Sequence, residues 1–236
     1  MSRETLSLAQ AAEHVHVAAN ELRHVAQRGE VEAVQHGGDW WFEHRALDEW
    51  AQRNVLAANA RALESQHRAM AMEEGRGGGG SLASVLNAAA IELDLAAKGK
   101  AGALADLVAI AERSGLVYDA EALHRELVDR EAAASTAVAG SVALPHPRFH
   151  DPYLFEQTFV AYARSARGIF FGAPDDEPTR HFFLVCSTDH ERHLHMLARL
   201  AMLVLRTDLV DRLDAAEDAA AVVAAVAACE ETLRRR

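Results

Sequence analysis

Residues 129–146 read DREAAASTAVAGSVALPH, and Pro147 follows directly. Proline fixes its own φ and moves the residue before it toward an extended conformation. His146 is therefore held extended on a stiff loop, and Ala143-Leu144 can belong to a strand that Pro145 ends. A histidine at a strand end could be a reactive group or a loop residue without chemical consequence. This stretch alone favours the second interpretation, because most loop histidines have no chemical role.

The chain around this stretch alternates between strand and helix patterns. The predicted strands cover residues 91–95, 154–163 and 181–186, and the predicted helices cover residues 100–115, 119–133, 188–206 and 213–233. Thr188 and Glu191 have the spacing of a capping box at the start of the third helix. Alternating elements of this kind predict an α/β C-terminal domain, in which a mixed sheet has helices on both faces.

Two separated motifs in this half match one family. The first comprises Arg130, Glu131, Ser135, Thr136, Gly140, Ala143, Pro145 and His146, and the second is His193-Leu-His-Met-Leu197-Ala198 at a helix start. Both resemble, in the same order, the fructose/mannitol-type IIA domains of the bacterial phosphotransferase system. The resemblance spans residues 82–232 and makes His146 the first candidate for a reactive residue.

The resemblance implies a phosphoryl acceptor. In such domains the histidine that matches His146 takes a phosphoryl group from the phosphohistidine of the carrier HPr and passes it on, with a IIB-like domain as a possible acceptor. Arg130 matches the active-site arginine of the family, and His193 matches its second histidine. A neutral imidazole is a nucleophile, and a guanidinium suits phosphoryl oxygens. No cofactor is expected beyond a covalent phosphohistidine at His146.

The roles of the other matched side chains remain open. His193 lies near a helix N-terminus, which favours phosphate. It also shares an apolar stripe with Leu197 and Leu200, so it could simply edge the core. Ser135 and Thr136 could bond the phosphate or orient the reactive histidine, or they could have only a local role in a turn.

The first 53 residues show two short helices, a hairpin and a third helix. Ser7 can cap a helix over residues 6–17, and a second helix over about residues 18–28 ends at Gly29. Alternating residues, a turn at residues 37–39 and an aromatic run predict the hairpin. A third helix begins at residue 44. This order is typical of a winged helix-turn-helix domain.

The residues LxLAQAAEHxxVAANELRHVAQRGEVEAVQHGGDWW in this region resemble excisionase-like and MerR-like DNA-binding domains over residues 5–53. In those domains the second helix enters the major groove and the wing contacts the backbone. The resemblance implies double-stranded DNA as a possible partner. The candidate contacts are Asn20, Arg23, His24, Gln27 and Arg28 on the helix, with His36 and Trp40 on the wing.

The charge of this half departs from that family. Residues 1–80 contain eight arginines, no lysine and twelve acidic residues. Because phosphate contacts supply most non-specific affinity, such a domain should bind DNA weakly. The open alternative is a domain retained for protein–protein interaction. Trp40, Trp41 and Trp50 are predicted to form its core.

The chain can remain helical from Arg45 to Met72. Apolar or large side chains recur four and three residues apart, at Leu56, Ala60, Leu63, His67 and Met70. This heptad seam predicts a two-helix coil and a homodimer. The alternative is a single helix packed on its own domain.

A glycine-rich run, EEGRGGGGS at residues 73–81, separates the two halves. It cannot continue a helix and predicts a flexible linker. The predicted organisation is a winged helix-turn-helix domain over residues 1–53, a connecting or dimerisation helix over 54–74, a linker over 75–81 and a IIA-like domain over 82–236.

Composition narrows the class of protein. The net charge of −11 at pH 7 opposes non-specific attraction to DNA and anionic membranes. Cys186 and Cys229 form no CxxC pattern, so neither a disulfide framework nor a cysteine-based zinc site is expected. The N-terminus has no signal-peptide pattern, and the longest apolar run, at residues 219–229, is too short to span a membrane. A cytoplasmic protein without membrane insertion is expected.

The histidines of the C-terminal half predict no metal site. His190, His193 and His195 cannot all share one helix face, and no HExxH motif is present. His181 and His195 are predicted to lie at the surface or at the rim of a pocket.

The leading hypothesis is a two-domain regulator linked to the phosphotransferase system. Phosphorylation of His146 would alter DNA binding or assembly. Two alternatives remain. The first is a plain IIA carrier for sugar uptake whose N-terminal domain only docks or dimerises, and the second is a scaffold that no longer takes phosphate.

Overall fold

The computed structural model describes residues 5–15, 17–57, 81–148 and 153–235. The chain divides into two compact units, Met1–Gly78 and Gly79–Arg236, and each is described by itself. Most of the predicted heptad seam, from Ala60 to Met70, and the linker residues 75–80 lie outside the described residues. Among the described helices, none combines the length and apolarity needed to cross a membrane.

The N-terminal unit consists of three strands and three helices. They are β1 (Thr5–Ser7), α1 (Leu8–His14), α2 (Ala19–Gln27), β2 (Ala33–His36), β3 (Asp39–Glu43) and α3 (His44–Ala57). The strands form an antiparallel sheet in the order β1-β3-β2. The pattern predicts a helix from residue 6, but Leu6 pairs with Phe42 of β3 and the helix begins only after Ser7. Ser7 and Gln10 then form a capping box.

The tryptophans of this unit do not all lie in its core. Phe42 and Trp50 are buried, whereas Trp41 is 40% exposed beside its strand partner Val34. The prediction of a core position is therefore wrong for Trp41. Successive side chains of a strand point to opposite faces, so once Phe42 takes the inner position Trp41 must point outward.

The C-terminal unit is an α/β domain. Its elements are α4 (Leu82–Val85), β4 (Leu86–Glu92), α5 (Lys100–Glu112), α6 (Ala120–Ala133), β5 (Ala137–Val138), β6 (Val142–Ala143), β7 (Phe159–Ile169), β8 (Thr179–Cys186), α7 (His190–Arg206), α8 (Leu209–Ala215) and α9 (Ala219–Arg234). The five strands form a mixed sheet in the order β4-β7-β8-β6-β5. The β4–β7 and β6–β8 pairs are parallel, and the other two pairs are antiparallel.

Helices cover both faces of this sheet. Phe159, Ala161 and Ala163 of β7 belong to one core cluster with α5 and α6. Tyr162 points to the opposite face, where it reaches His181 of β8, and His181 in turn lies beside Asp214 of α8. Both faces are buried along residues 159–163 of β7 and 182–186 of β8, which explains why these stretches are continuously apolar or aromatic.

Several predicted boundaries shift in the structure. Strand β4 covers Leu86–Glu92 rather than residues 91–95, and β7 begins at Phe159 rather than at residue 154. Residues 154–155 instead contact the segment that follows α5, because Phe155 forms an isolated bridge with Val117.

Two helix termini also differ from the predicted ones. The helix predicted over residues 213–233 is divided into α8 and α9, because Ala216 is extended and the Asp218 side chain caps α9. The cap of α7 is Asp189, whose side chain accepts from the Arg192 amide, and not Thr188. The Thr188 hydroxyl instead lies 3.1 Å from the Thr158 hydroxyl.

The parallel pair β6–β8 determines where the motif residues meet. Parallel strands present their carboxyl ends at the same edge of a sheet. The segment that contains His146 follows β6, and helix α7 follows β8. The amide of Val185 donates to the Pro145 carbonyl at 2.9 Å, which extends this pairing as far as the residue before His146. The histidine therefore emerges beside the first turn of α7.

Candidate functional site

The His146 imidazole is oriented by its own loop. Its Nδ1 lies 2.7 Å from the Leu144 carbonyl, which can only accept a hydrogen bond. Nδ1 must therefore carry the proton. In the neutral ring this leaves Nε2 with a free electron pair, and Nε2 accepts a hydrogen bond from Nε of Arg130 at 2.9 Å. The nitrogen available as a nucleophile is thus Nε2.

Arg130 reaches the histidine from the last turn of α6. Its Nη1 donates to the Ala134 carbonyl at 2.8 Å, just beyond the helix end, while its Nε faces His146. The side chain is buried, with 3% exposed. A buried guanidinium aimed at a nucleophilic nitrogen is positioned to contact the oxygens of any phosphoryl group formed there.

His193 packs edge-to-face against the same imidazole. The two ring centroids are 4.9 Å apart and the planes are inclined by 63°. His193 is fully buried in the first turns of α7, where backbone amides and the helix dipole favour negative charge. The two interpretations of this residue are compatible, because His193 edges the core and also contacts His146.

Glu131 organises the other side of the site. One of its carboxylate oxygens accepts from both the amide (2.9 Å) and the hydroxyl (2.6 Å) of Thr136. The other oxygen accepts from Lys100 Nζ at 2.8 Å. Glu131, near the C-terminus of α6, thereby contacts both the N-terminus of α5 and the residue before β5. Only the Glu131 side of the ion pair is buried, because the Lys100 side chain is 38% exposed. The buried contacts of Glu131 with Thr136 fix the start of β5 beside the end of α6, the helix that carries Arg130.

Ser135 and Thr136 make local contacts. The Ser135 hydroxyl donates to the Phe171 carbonyl at 2.8 Å and accepts from the Ala137 amide at 3.2 Å. The Thr136 hydroxyl donates to Glu131. Of the two roles left open by the sequence, these contacts match the local one. They hold the β5 segment in place, and Thr136 in turn accepts at its carbonyl from the Leu144 amide.

The His146 imidazole is enclosed. His146 and His193 have no exposed surface. Burial excludes water, which strengthens the interaction of Arg130 with a developing negative charge.

Lys100 and His181 each take part in a group of polar contacts that the sequence does not predict. Lys100, at the start of α5, contacts Glu131 and lies 4.9 Å from the centroid of the Phe171 ring. His181 is fully buried, so its predicted place at the surface or at a pocket rim is wrong. Its Nδ1 lies 2.8 Å from the Tyr162 hydroxyl and its Nε2 lies 3.3 Å from Asp214. The unbroken apolar run that begins directly after His181, at residues 182–186, is the sequence signal for this burial.

The DNA candidates lie on the N-terminal unit and are not part of this site. The five on α2 and its end are exposed, namely Asn20, Arg23, His24, Gln27 and Arg28, as is His36 on β2, whereas Trp40 is half-buried. Arg28 makes two hydrogen bonds to Glu30, at 2.5 and 3.0 Å, and this ion pair raises the pKa of Arg28 and lowers that of Glu30. Arg28 is therefore partly neutralised on its own surface.

Comparison with known proteins identifies the class of the C-terminal unit. Residues 84–229 match the family described as "Phosphoenolpyruvate-dependent sugar phosphotransferase system, EIIA 2". This match covers more than half of the chain and contains the whole site. The chain belongs to this family, and its C-terminal unit is a IIA-type phosphoryl carrier domain.

Relatives carry two kinds of name. The fructose-specific EIIA component of Haloferax volcanii is 35% identical over 120 residues, which cover 50% of this chain and 76% of that protein. The nitrogen regulatory protein of Bradyrhizobium diazoefficiens is 35% identical over 131 residues, which cover 54% and 82%. The fructose-specific EIIABC component of Bacillus subtilis is 25% identical over 135 residues, and the match spans only 21% of its length.

Solved structures share the fold. The nitrogen regulatory protein IIA-Ntr of Neisseria meningitidis superposes with a TM-score of 0.56 at 23% identity, and covers 61% of this chain and 98% of that one. The IIA mannitol domain of Escherichia coli superposes with a TM-score of 0.52 at 22% identity, and covers 60% and 98%. Each of these structures is matched over almost its full length but covers only about 60% of this chain. The remainder of this chain is additional to the domain that they share.

Proposed function

We propose that this protein takes a phosphoryl group onto Nε2 of His146 from a phosphohistidine carrier of the HPr kind, and that the phosphorylation state controls what the N-terminal unit binds. The observation that carries the proposal is the hydrogen-bond pair on the imidazole. Nδ1–H is held by the Leu144 carbonyl, and the Nε2 electron pair faces Arg130 at 2.9 Å.

The transfer step balances without a cofactor. The Nε2 electron pair attacks the phosphorus of the donor phosphohistidine, a nitrogen–phosphorus bond forms, and the bond to the donor ring breaks with its electron pair returning to that ring. Arg130 loses its hydrogen bond to Nε2 and donates instead to the phosphoryl oxygens. Such transfers depend mainly on positioning and charge stabilisation, which Arg130 and the α7 terminus can supply. A IIB-like domain would receive the group by the reverse sequence.

The experiment that tests this step uses the full chain with phosphoenolpyruvate, enzyme I and HPr. We expect an acid-labile mass increase of one phosphoryl group in the wild type and none in His146→Ala. His195→Ala is the matched control, because His195 is only half-buried on the same helix as His193, and it should retain the increase. Equal labelling of His146→Ala would contradict the proposal. A wild type that takes no phosphate, beside a control IIA domain that does, would favour the scaffold.

The regulatory half of the proposal rests on the N-terminal unit. Helix α2 presents exposed polar side chains, as a groove-reading helix requires. The excess of acidic residues and the Arg28–Glu30 pair predict weak, salt-sensitive binding. A phosphoryl group adds roughly −1.5 to −2 charge, which is enough to change a contact that depends on so few cations.

DNA binding is tested by mobility shift across salt concentrations, with phosphorylated and unphosphorylated full chain. Arg23→Ala should lower the slope of log affinity against log salt by about 1. Arg53→Ala, which removes an exposed arginine of α3, should leave it unchanged. No retardation of any fragment at low salt would contradict this half. It would favour the second candidate, a IIA carrier whose N-terminal unit docks to protein.

A further inference from the structure

Three side chains of the N-terminal unit converge away from the DNA candidates. His14 Nε2 lies 2.7 Å from Asp48 Oδ1, and His44 Nδ1 lies 3.4 Å from Asp48 Oδ2. The two imidazole centroids are 4.6 Å apart. Two ring nitrogens and a carboxylate oxygen therefore lie within 4.8 Å of one another.

The fold explains why residues 30 positions apart meet. His14 is the last residue of α1, and His44 is the first residue of α3. Strand β1 leads into α1 and pairs with β3, which leads directly into α3. The β1–β3 pairing thus brings the two helices together. His44 and Asp48 are one helical turn apart, so they lie on the same face of α3.

The donor set points to one class of ion. Imidazole nitrogens with one carboxylate suit zinc and similar transition-metal ions, whereas magnesium and calcium prefer oxygen ligands throughout. In a tetrahedral site with bonds of about 2.0–2.2 Å, neighbouring ligand atoms lie roughly 3.3–3.5 Å apart. The observed separations bracket that value, so small side-chain rotations suffice.

The cluster lies near the surface of the N-terminal unit. The His14, His44 and Asp48 side chains are 21%, 32% and 13% exposed, so the cluster is sheltered but reached by solvent. An open zinc site has three protein ligands and one water. Residues 1–80 contain twelve acidic residues and eight arginines, which favours the approach of a cation.

We propose that His14, His44 and Asp48 bind a divalent transition-metal ion of the zinc class, with water as the fourth ligand. The ion replaces the contact between His14 and Asp48 and releases to solvent the proton shared there. It connects the end of α1 to the start of α3. The competing interpretation is a carboxylate that orients two imidazoles and binds no ion, and the measurements below separate the two.

Cobalt(II) is a direct probe, because its visible spectrum reports coordination. The full chain, freed of any histidine tag, is titrated with cobalt. We expect tetrahedral absorption bands that saturate at one equivalent, that lack a thiolate charge-transfer band, and that disappear on addition of zinc. His14→Ala, His44→Ala and Asp48→Asn should each lower cobalt affinity at least tenfold. His24→Ala and His36→Ala, exposed histidines of the same unit, should have no effect.

Stability gives a second readout. All three tryptophans, Trp40, Trp41 and Trp50, lie in the N-terminal unit, and all three tyrosines lie in the C-terminal unit. Zinc at a free concentration 100 times its Kd should raise the tryptophan-monitored folding equilibrium constant about 100-fold in the wild type. The same zinc concentration should raise the constant of Asp48→Asn, a near-isosteric variant, no more than about 10-fold.

Either of two results would overturn the site. One is the absence of one-equivalent binding by the wild type. The other is binding that survives both His14→Ala and His44→Ala while tryptophan emission shows the variants folded. Neither result depends on phosphoryl transfer at His146, so the site is tested independently of the proposed function.

Discussion

His146 and His181 are both fully buried in the C-terminal unit. In each imidazole, both ring nitrogens have a partner, and the two partners are different groups. His146 lies between a backbone carbonyl and the guanidinium of Arg130. His181 lies between the Tyr162 hydroxyl and the Asp214 carboxylate. The two imidazoles are thus equally enclosed but differ in the charge of their nearest partner.

Under the proposed function, that difference separates the phosphoryl acceptor from a structural histidine. A phosphoryl group that arrives at Nε2 of His146 displaces a cationic donor, which can then bond its oxygens. At His181 the same group would meet Asp214, whose negative charge repels it. Arg180 is nearby, but both of its terminal nitrogens already contact Asp214 at 3.0 Å. Burial alone therefore does not distinguish the two histidines, whereas the charge of the group beside Nε2 does.

The largest expected effect follows from removing the cation that distinguishes the two histidines. Arg130→Ala should lower the rate of phosphoryl transfer to His146 by about 10²–10³-fold, the usual loss for one positioned donor. Arg130→Lys keeps the charge but lacks the planar guanidinium, so it should recover only part of the rate. Rapid-quench mass spectrometry with phosphorylated HPr measures both rates.

Arg180→Ala provides the matched control, because it removes the arginine beside the other histidine. Its transfer rate should remain within a factor of two or three of the wild type. A transfer rate of Arg130→Ala equal to that of Arg180→Ala would show that the positive charge at His146 is not what distinguishes the sites.

The sequence predicts His146 better than it predicts His181, for physical reasons. Two prolines constrain the backbone at His146 locally, and the motif around it supplies Arg130. The position of His181 depends on the sheet. HFFLVC lacks the alternation that marks an exposed face, so a histidine in it is buried with its apolar neighbours. The predicted surface position of His181 is wrong because the strand has two buried faces.

Contacts between distant segments escape sequence patterns altogether. The Glu131–Lys100 pair depends on how α5 and α6 approach each other, and residue spacing does not encode that approach. The same holds for His14 and Asp48, which meet only because β1 pairs with β3. No motif joins these residues in the sequence, which is why the sequence predicts no metal site there.

The next largest effect is a pH dependence of the free energy of unfolding that arises from His181. Burial lowers the pKa of His181 to about 4, from about 6.5 in an unfolded chain. Between these values the unfolded state binds more protons, so the free energy of unfolding falls as the pH falls from 6.5 to 4. The loss attributable to His181 is about 3 kcal/mol across this window. Urea unfolding followed by far-ultraviolet circular dichroism at a series of pH values measures it.

His181→Gln tests the assignment, because glutamine does not titrate in this range. Its pH dependence should be flatter than that of the wild type by about the same amount. The tryptophan-monitored transition of the N-terminal unit serves as internal reference, since His181 is not part of that unit. Parallel curves for the two proteins would show that His181 is not the group that titrates.

The smallest expected effect concerns the contacts that hold the β5 segment near His146, and not the histidine itself. Gly172 has φ +93°, and a Cβ added there would lie 3.2 Å from the Ser135 hydroxyl oxygen. Gly115 has φ +72° and no neighbour within 4 Å of an added Cβ. Either glycine replaced by alanine should lose about 1–2 kcal/mol of stability, because a left-handed conformation is unfavourable for a side chain.

Only Gly172→Ala should also disturb Ser135. The Ser135 hydroxyl fixes the start of β5, where Thr136 contacts Glu131. We therefore expect Gly172→Ala to slow phosphoryl transfer several-fold at a temperature where both variants are folded, and Gly115→Ala to leave the rate unchanged. The comparison separates a loss of stability, common to both, from a loss of positioning, which concerns the Ser135 contact alone. Equal transfer rates would mean that the β5 segment does not position Arg130 and that the α6 end does so by itself.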